Sequence, residues 1–456
     1  MSSAPPHTAR LVTGSIPGHL VSQTLPAVIG VAAIMSVGII DAYFIGQLGS
    51  APLAAISFIF PVSVSCTSLG VGVMVGINSV VARALGEGDY DKAARRANFG
   101  IVFACACGIV MGLALWLATD TIFAAMNAPA HLMPLVRAYM TPYAASFPLS
   151  LAIMGFNGVL RGQGEAKRTS TVSIAFASAN WVLNPILITG AFGIEGYGIA
   201  GSAYATGIGW AIGVACALWL MRSTPLPVNL GLLRNCDLGA NAGAIIKVGL
   251  PAAFSNAINP LGLAVLTSRI ALEGEAAVAG FGAAGRLQSL VLVPLLGLSG
   301  AIGAIVGQNW GAGRDDRAAE AVRYAFGFCI VWGLIVAAAM MAAGATFGRV
   351  FTDDPAVVAE FDLYLKIAAW GYAGFGLLIV GNGIMNAVDR ASLALGQSVA
   401  RVFLVMLPVA LVLQPMMGSS AIYTAELAAN LFGAVSAVVL VRYVFARHAR
   451  LRAAPR

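Results

Sequence analysis

"GEGDYDKAA", Gly86 to Ala94, returns 225 residues later as "GAGRDDRAA", Gly311 to Ala319, with five of nine residues identical and Lys92 answered by Arg317. Two further blocks keep that offset. "LPA" at Leu25–Ala27 returns at Leu250–Ala252, and "NGVL" at Asn157–Leu160 returns as "NGIM" at Asn382–Met385. Three blocks at one spacing divide the 456-residue chain into two like halves.

Composition says what the halves are made of. The chain is 59% hydrophobic and 10% charged, with a mean hydropathy of +0.86. Soluble domains are roughly 25% charged, so this chain lacks the polar groups to cover a soluble surface. Continuous apolar runs at 20–44, 53–82, 97–119, 134–160, 169–191, 199–221, 244–268, 287–307, 321–346, 361–385, 391–414 and 421–446 predict twelve transmembrane helices, each near the ~20 residues that cross hydrocarbon. The runs do not alternate as the strands of a membrane barrel do. The 53 glycines suit close helix packing, and Gly72-x-x-x-Gly76 forms one small-residue ridge.

Of the 26 Lys and Arg residues, all but Arg137, Arg269, Arg286, Arg349 and Lys366 fall on one side of the membrane if the N-terminus is inside. The positive-inside rule then puts both termini in the cytoplasm. Six spans per half make parallel repeats about an axis along the membrane normal, with a cavity between them. The fold class is therefore an all-α integral membrane protein. Its expected divisions are an N-terminal cytoplasmic segment 1–19, an N-lobe 20–221, a polar linker 222–243, a C-lobe 244–446 and a basic cytoplasmic tail 447–456. The first apolar run reads as a retained span rather than a removed signal peptide. The net charge of +7 follows from the loop asymmetry and calls for no nucleic acid.

Asp41 stands alone in "SVGIIDAYFIG", Ser36 to Gly46, inside the first run. An unpaired charge at a bilayer centre costs about 2.5–3.5 kcal/mol on insertion scales, and an intramembrane acid is a functional candidate by default. The bland alternative is a carboxylate facing the outer water, since Gly46 begins a loop. Pro26, four turns earlier, removes a backbone hydrogen bond and can bend this helix. Asn180 and Asn184 are i, i+4 on one face of the fifth span, and Pro185 frees a carbonyl there. Each asparagine could equally be an interhelical hydrogen bond.

"GIIDAYFIGQLGSAPLAAIS", "LRGQGEAKRTS", "NPILITGAFGIEGYGIAGSAYAT" and "GLSGAIGAIVGQNWGAGRDDRAAEA" together resemble the multidrug and toxic compound extrusion (MATE) transporters, with the DinF-like branch the nearest match. The resemblance runs from about residue 20 to 440 and implies a two-lobe antiporter. Such a protein exports organic, often cationic, compounds against an inward flow of protons or sodium. Asp41 occupies the position of the coupling Asp, and Asn157, Asn180 and Thr206 correspond to other polar members of that cluster. The pattern departs at Asn184, where the branch often carries a second Asp before the proline, and at Asn259 and Gly374, where another branch carries acids. The site thus keeps one acid, which leaves a proton or a sodium ion at Asp41 as the coupling ion.

Tyr139, Phe147, Phe156 and Trp181 lie near these asparagines in sequence and could offer aromatic faces to a cationic substrate; packing is their ordinary role. The Gly-rich loops lack the G-K-[ST] ending of a phosphate-binding loop, so neither ATP nor another cofactor is expected. They read as turns and topology anchors, with Arg161 in a similar helix-end role. The six cysteines form no C-x-x-C, and the four histidines form no metal-ligand spacing. No nucleophile elbow or paired acid suggests an enzyme. A major-facilitator transporter shares the twelve-span plan but not "LRGQGEAK" and "QNWGAG". A flippase for lipid-linked precursors would line the cavity with arginines, for which Arg269 and Arg286 are the available residues. The expected partners are small organic substrates and the bilayer, and one two-lobe chain suffices as a monomer.

Overall fold

In hydrocarbon every backbone amide must find its partner within the segment, so apolar runs of this length fold as helices. The computed structural model describes residues 9–191 and 193–453; the start of the N-terminal segment and the last three residues of the basic tail lie outside them. Twelve helices long and apolar enough to cross a membrane run Ile16–Gly46, Ser50–Gly86, Tyr90–Ala125, Ala130–Gly162, Ala166–Ile188, Ile199–Met221, Leu238–Glu273, Glu275–Gly311, Asp315–Gly344, Pro355–Ala387, Ala391–Met417 and Ser419–Arg452. They are spans 1 to 12 below.

All twelve expected runs are present, and their ends differ where hydropathy is a weak guide. Span 8 starts at Glu275, not 287, because the Ala- and Gly-rich stretch before Arg286 continues the helix. Span 5 stops at Ile188, and a two-strand hairpin follows, pairing Gly190 with Glu195 and Ala191 with Ile194. Span 10 is interrupted by a 3-10 turn at Ala369–Gly371, and span 11 widens to a π-helix at Ala400–Met406. Arg401 sits in that widened turn. Counted by sequence among the topology anchors, it is instead 4% exposed within the bundle.

The repeated loops explain their own glycines. Gly88 and Gly313 have φ of 77° and 70°, a left-handed conformation that other residues rarely adopt. Between Gly88 and span 3, Asp89 accepts a hydrogen bond from the Lys92 backbone (2.8 Å) and caps the helix. Gly86 lies against the Gln308 carbonyl, while Gly311 lies against the Arg83 carbonyl. These two contacts exchange when 225 is added or subtracted, so the halves are related by an approximate two-fold axis through this seam. Gly72 against Ala253 and Gly297 against Val28 form a second such pair. The Gly72–Gly76 ridge thus faces the other lobe. A methyl group on Gly76 would stand 2.6 Å from the Ile245 carbonyl, too close for any side chain.

Among the described residues, the hydrogen bonds between the lobes lie at one end of the bundle, which is rich in arginine. Ser79 Oγ donates to the Asn386 carbonyl (2.6 Å), and Gln308 Nε2 to the Gly162 carbonyl (2.8 Å). The segment before span 1 joins them. Leu11, 0% exposed, donates its N–H to Gln308 Oε1 (3.0 Å) and accepts from Asn309 Nδ2 (3.1 Å) at its carbonyl. Its neighbour Arg10 pairs with Glu165 of the N-lobe (2.9 Å).

Candidate functional site

Span 5 joins span 1 and span 6 in one string of four expected residues. Asn184 Nδ2 donates to Asp41 Oδ1 and to Asn180 Oδ1 (2.8 Å), and Asn180 Nδ2 donates to Thr206 Oγ1 (3.1 Å). Both asparagines are 0% exposed, and Asp41 is half-buried. Ser202 stands close to the same carboxyl group, and the Tyr139 phenol is near enough to feel its charge. The i, i+4 spacing points the two amides along one side of the helix, as the sequence suggests.

The direction of these bonds matters chemically. Asn184 gives both amide hydrogens to acceptors, and its own Oδ1 has no partner. That arrangement matches a carboxylate, which only accepts; a protonated Asp41 would need an acceptor. Rotating the Asn184 amide by half a turn would supply one. The same rotation would set the Asn184 oxygen beside those of Asp41 and Asn180, an oxygen cluster suited to a hard cation.

The other expected residues lie elsewhere. Asn157 is buried with an unpartnered Oδ1 and makes no hydrogen bond to the string. Pro26 lies within a continuous helix, and its carbonyl accepts from Ser170 of span 5. Tyr139 stacks on Tyr143 (5.6 Å), which meets Phe147 (5.7 Å) and Trp210 (5.5 Å). These i, i+4 rings fill the N-lobe interior, and Phe156 packs in a neighbouring core. Trp181, 38% exposed, donates to Ser36 Oγ (3.1 Å). None of Tyr139, Phe147, Phe156 and Trp181 lines the cavity between the lobes.

That cavity, about 340 Å³, is lined by spans 2, 4, 7, 8 and 10, with Asn78, Arg161, Asn256, Asn259 and Asn382 among its polar residues. Arg161, read from the sequence as a helix-end anchor, is on its wall. Arg269 and Arg286 are not; Arg269 donates to Gln414 Oε1 (2.8 Å). Behind the cavity is a second polar string. Arg401 donates to Asn259 Oδ1 (2.8 Å) and Asn430 Oδ1 (2.6 Å), with its guanidinium 4.6 Å from the centre of the Phe375 ring. Near it, Glu426 is 5% exposed and accepts from Gln288 Nε2 (2.6 Å) and the Tyr364 hydroxyl (2.9 Å). Asp41 is therefore not the sole acid within the bundle. The sequence carried the signal, because Glu426 is the lone acid of its apolar run.

The MatE family model matches residues 26–186 and again 251–412. The chain belongs to the MATE family. The two matches begin at Pro26 and Pro251, the prolines of the internal repeat, so each lobe of this MATE protein carries one copy of the family pattern. It is 28% identical over 400 residues to the FAD transporter of Shewanella oneidensis, covering 88% of each chain. It is 26% identical over 429 residues to the multidrug export protein MepA of Staphylococcus aureus, covering 92% of each. Among solved structures, the MATE transporter VcmN of Vibrio cholerae in its bent form superposes with a TM-score of 0.89 at 24% identity, over 95% of this chain and 97% of that one. At that identity the likeness shows the fold. This MATE chain is thus a multi-pass membrane protein of a transporter family.

Proposed function

We propose that this protein is an antiporter that moves organic compounds out of the bacterial cell by alternating access, driven by a proton or sodium ion at Asp41. The observation that carries this reading is the string Asp41–Asn184–Asn180–Thr206, with a spare oxygen on Asn184. Ser202 adds to the polar surroundings of Asp41, and Pro26 is the place where span 1 bends between states. The fastened arginine-rich end is the cytoplasmic side of the inner membrane, by the positive-inside rule. Lobes whose mutual hydrogen bonds, among the described residues, all lie there match a state open at the opposite end. One chain works as a monomer, without ATP. The position of Asp41 favours the DinF-like branch.

The cargo has a second reading. The Shewanella relative is named a FAD transporter, which brings phosphorylated solutes within the proposed class. The absence of any carboxylate among the cavity-lining residues favours it over the cationic compounds expected from the family resemblance.

The test is efflux from vesicles reconstituted with the full chain, under separate proton and sodium gradients. Asp41→Asn is expected to abolish gradient-driven efflux. Wild-type rates in that variant would reject the assignment.

A further inference from the structure

Of the residues that line the cavity between the lobes, one is charged, and it is Arg161. It belongs to the last turn of span 4, yet its side chain reaches across to the C-lobe. A methyl group on Gly300 of span 8 would stand 2.7 Å from Arg161 Nη1, so that glycine makes the room. The guanidinium has no hydrogen bond or ion pair among the described residues. The guanidinium is half-buried and opens onto the cavity, so its charge is free to pair with an anionic group that enters.

The remaining polar groups say what kind of thing. Arg401 holds the Asn259 oxygen from behind (2.8 Å), which leaves the amide nitrogen as the free end of that side chain. Asn78 Nδ2 stands beside Gly303, one turn from Gly300 and also on the cavity wall. Arg401 has Glu426 close enough to offset its charge. The uncompensated positive charge is therefore that of Arg161, flanked by amide donors.

We propose that this cavity binds the anionic group of an organic solute, such as a phosphate ester, with Arg161 as its counter-ion. Only the description of that solute as cargo rests on the transport reading above; the binding itself does not.

Calorimetry on the purified full chain in detergent tests it, using naphthyl phosphate, its uncharged parent naphthol, and tetraphenylphosphonium as an organic cation. Wild type is expected to prefer naphthyl phosphate to naphthol at least tenfold, about 1.4 kcal/mol. Arg161→Gln removes the preference and leaves naphthol binding unchanged, whereas Arg161→Lys keeps part of it. Asn78→Asp, which supplies an internal counter-ion, weakens naphthyl phosphate tenfold and strengthens tetraphenylphosphonium; it carries the test if Arg161→Gln does not fold. No preference in wild type, or wild-type phosphate binding in either Arg161→Gln or Asn78→Asp, overturns the proposal. Asp41-dependent export of tetraphenylphosphonium without Arg161-dependent phosphate binding would sink this inference and spare the transport reading. Arg161-dependent binding with no gradient-driven movement of naphthyl phosphate would do the opposite.

Discussion

Asn78 and Gly303 occupy the same position in the two repeats and face each other across the lobe interface: a methyl group on Gly303 would stand 3.1 Å from Asn78 Nδ2. The two-fold axis therefore passes between a side chain and a residue that has none. One half supplies the polar group and the other the space for it.

Filling that space should wedge the lobes. Gly303→Leu is expected to destabilise the protein by about 1–3 kcal/mol, the usual cost of overpacking. The readout is a lower melting temperature in detergent with reduced efflux. Gly285→Ala, with nothing near its β-carbon position, is the control and should leave both unchanged.

Restoring the second acid tests the coupling string. Asn184→Asp replaces the amide that now bonds to Asp41 and Asn180 with a second site for a cation. If one more ion then couples to each solute, steady-state accumulation in vesicles under a tenfold ion gradient rises up to tenfold, about 1.4 kcal/mol. Unchanged accumulation at wild-type rate would show that position 184 does not take part in coupling.

The C-lobe string makes a stability prediction. Arg401→Met leaves Glu426 without its nearby positive charge and leaves Asn259 and Asn430 without their donor. A loss of about 1–3 kcal/mol is expected, the cost of buried acceptors left without a donor. Adding Glu426→Gln should recover much of it. A double-mutant cycle on thermal unfolding measures the coupling, and strict additivity would show that the two residues act separately.

Leu11 closes one end of the bundle. Leu11→Asp puts a carboxylate where a fully buried side chain packs and should weaken closure by about 1–3 kcal/mol. Spin labels at the equivalent positions 91 and 316, in the first turns of spans 3 and 9, should then show a longer distance component by pulsed electron resonance. An unchanged distribution would mean that the N-terminal segment does not hold the lobes together.

Much of this architecture is legible in the sequence because lipid allows few solutions. Apolar runs become helices, and the offset of 225 residues survives in the loops since the glycines there are fixed by backbone geometry rather than by cargo. The string at Asp41 is legible in part: the i, i+4 asparagines and the lone acid are visible, while the hydrogen-bond direction depends on helix rotation. Arg161 is not legible at all. Its helix-end position is what the sequence shows, and only the docking of span 8, with Gly300 beneath the guanidinium, puts it on the cavity. Tyr139 and Phe147 fail as cavity residues for a similar reason, because their spacing stacks the rings on one another along span 4.

The reciprocal grip of Gly86 on Gln308 and Gly311 on Arg83 has an evolutionary consequence. A contact that survives the exchange of its two sides is one that a pair of identical short chains can make before any fusion joins them. A six-helix ancestor would have assembled as a homodimer with this seam already in place. Duplication then freed each copy to drift, so that one now offers an asparagine at the centre and the other a bare backbone.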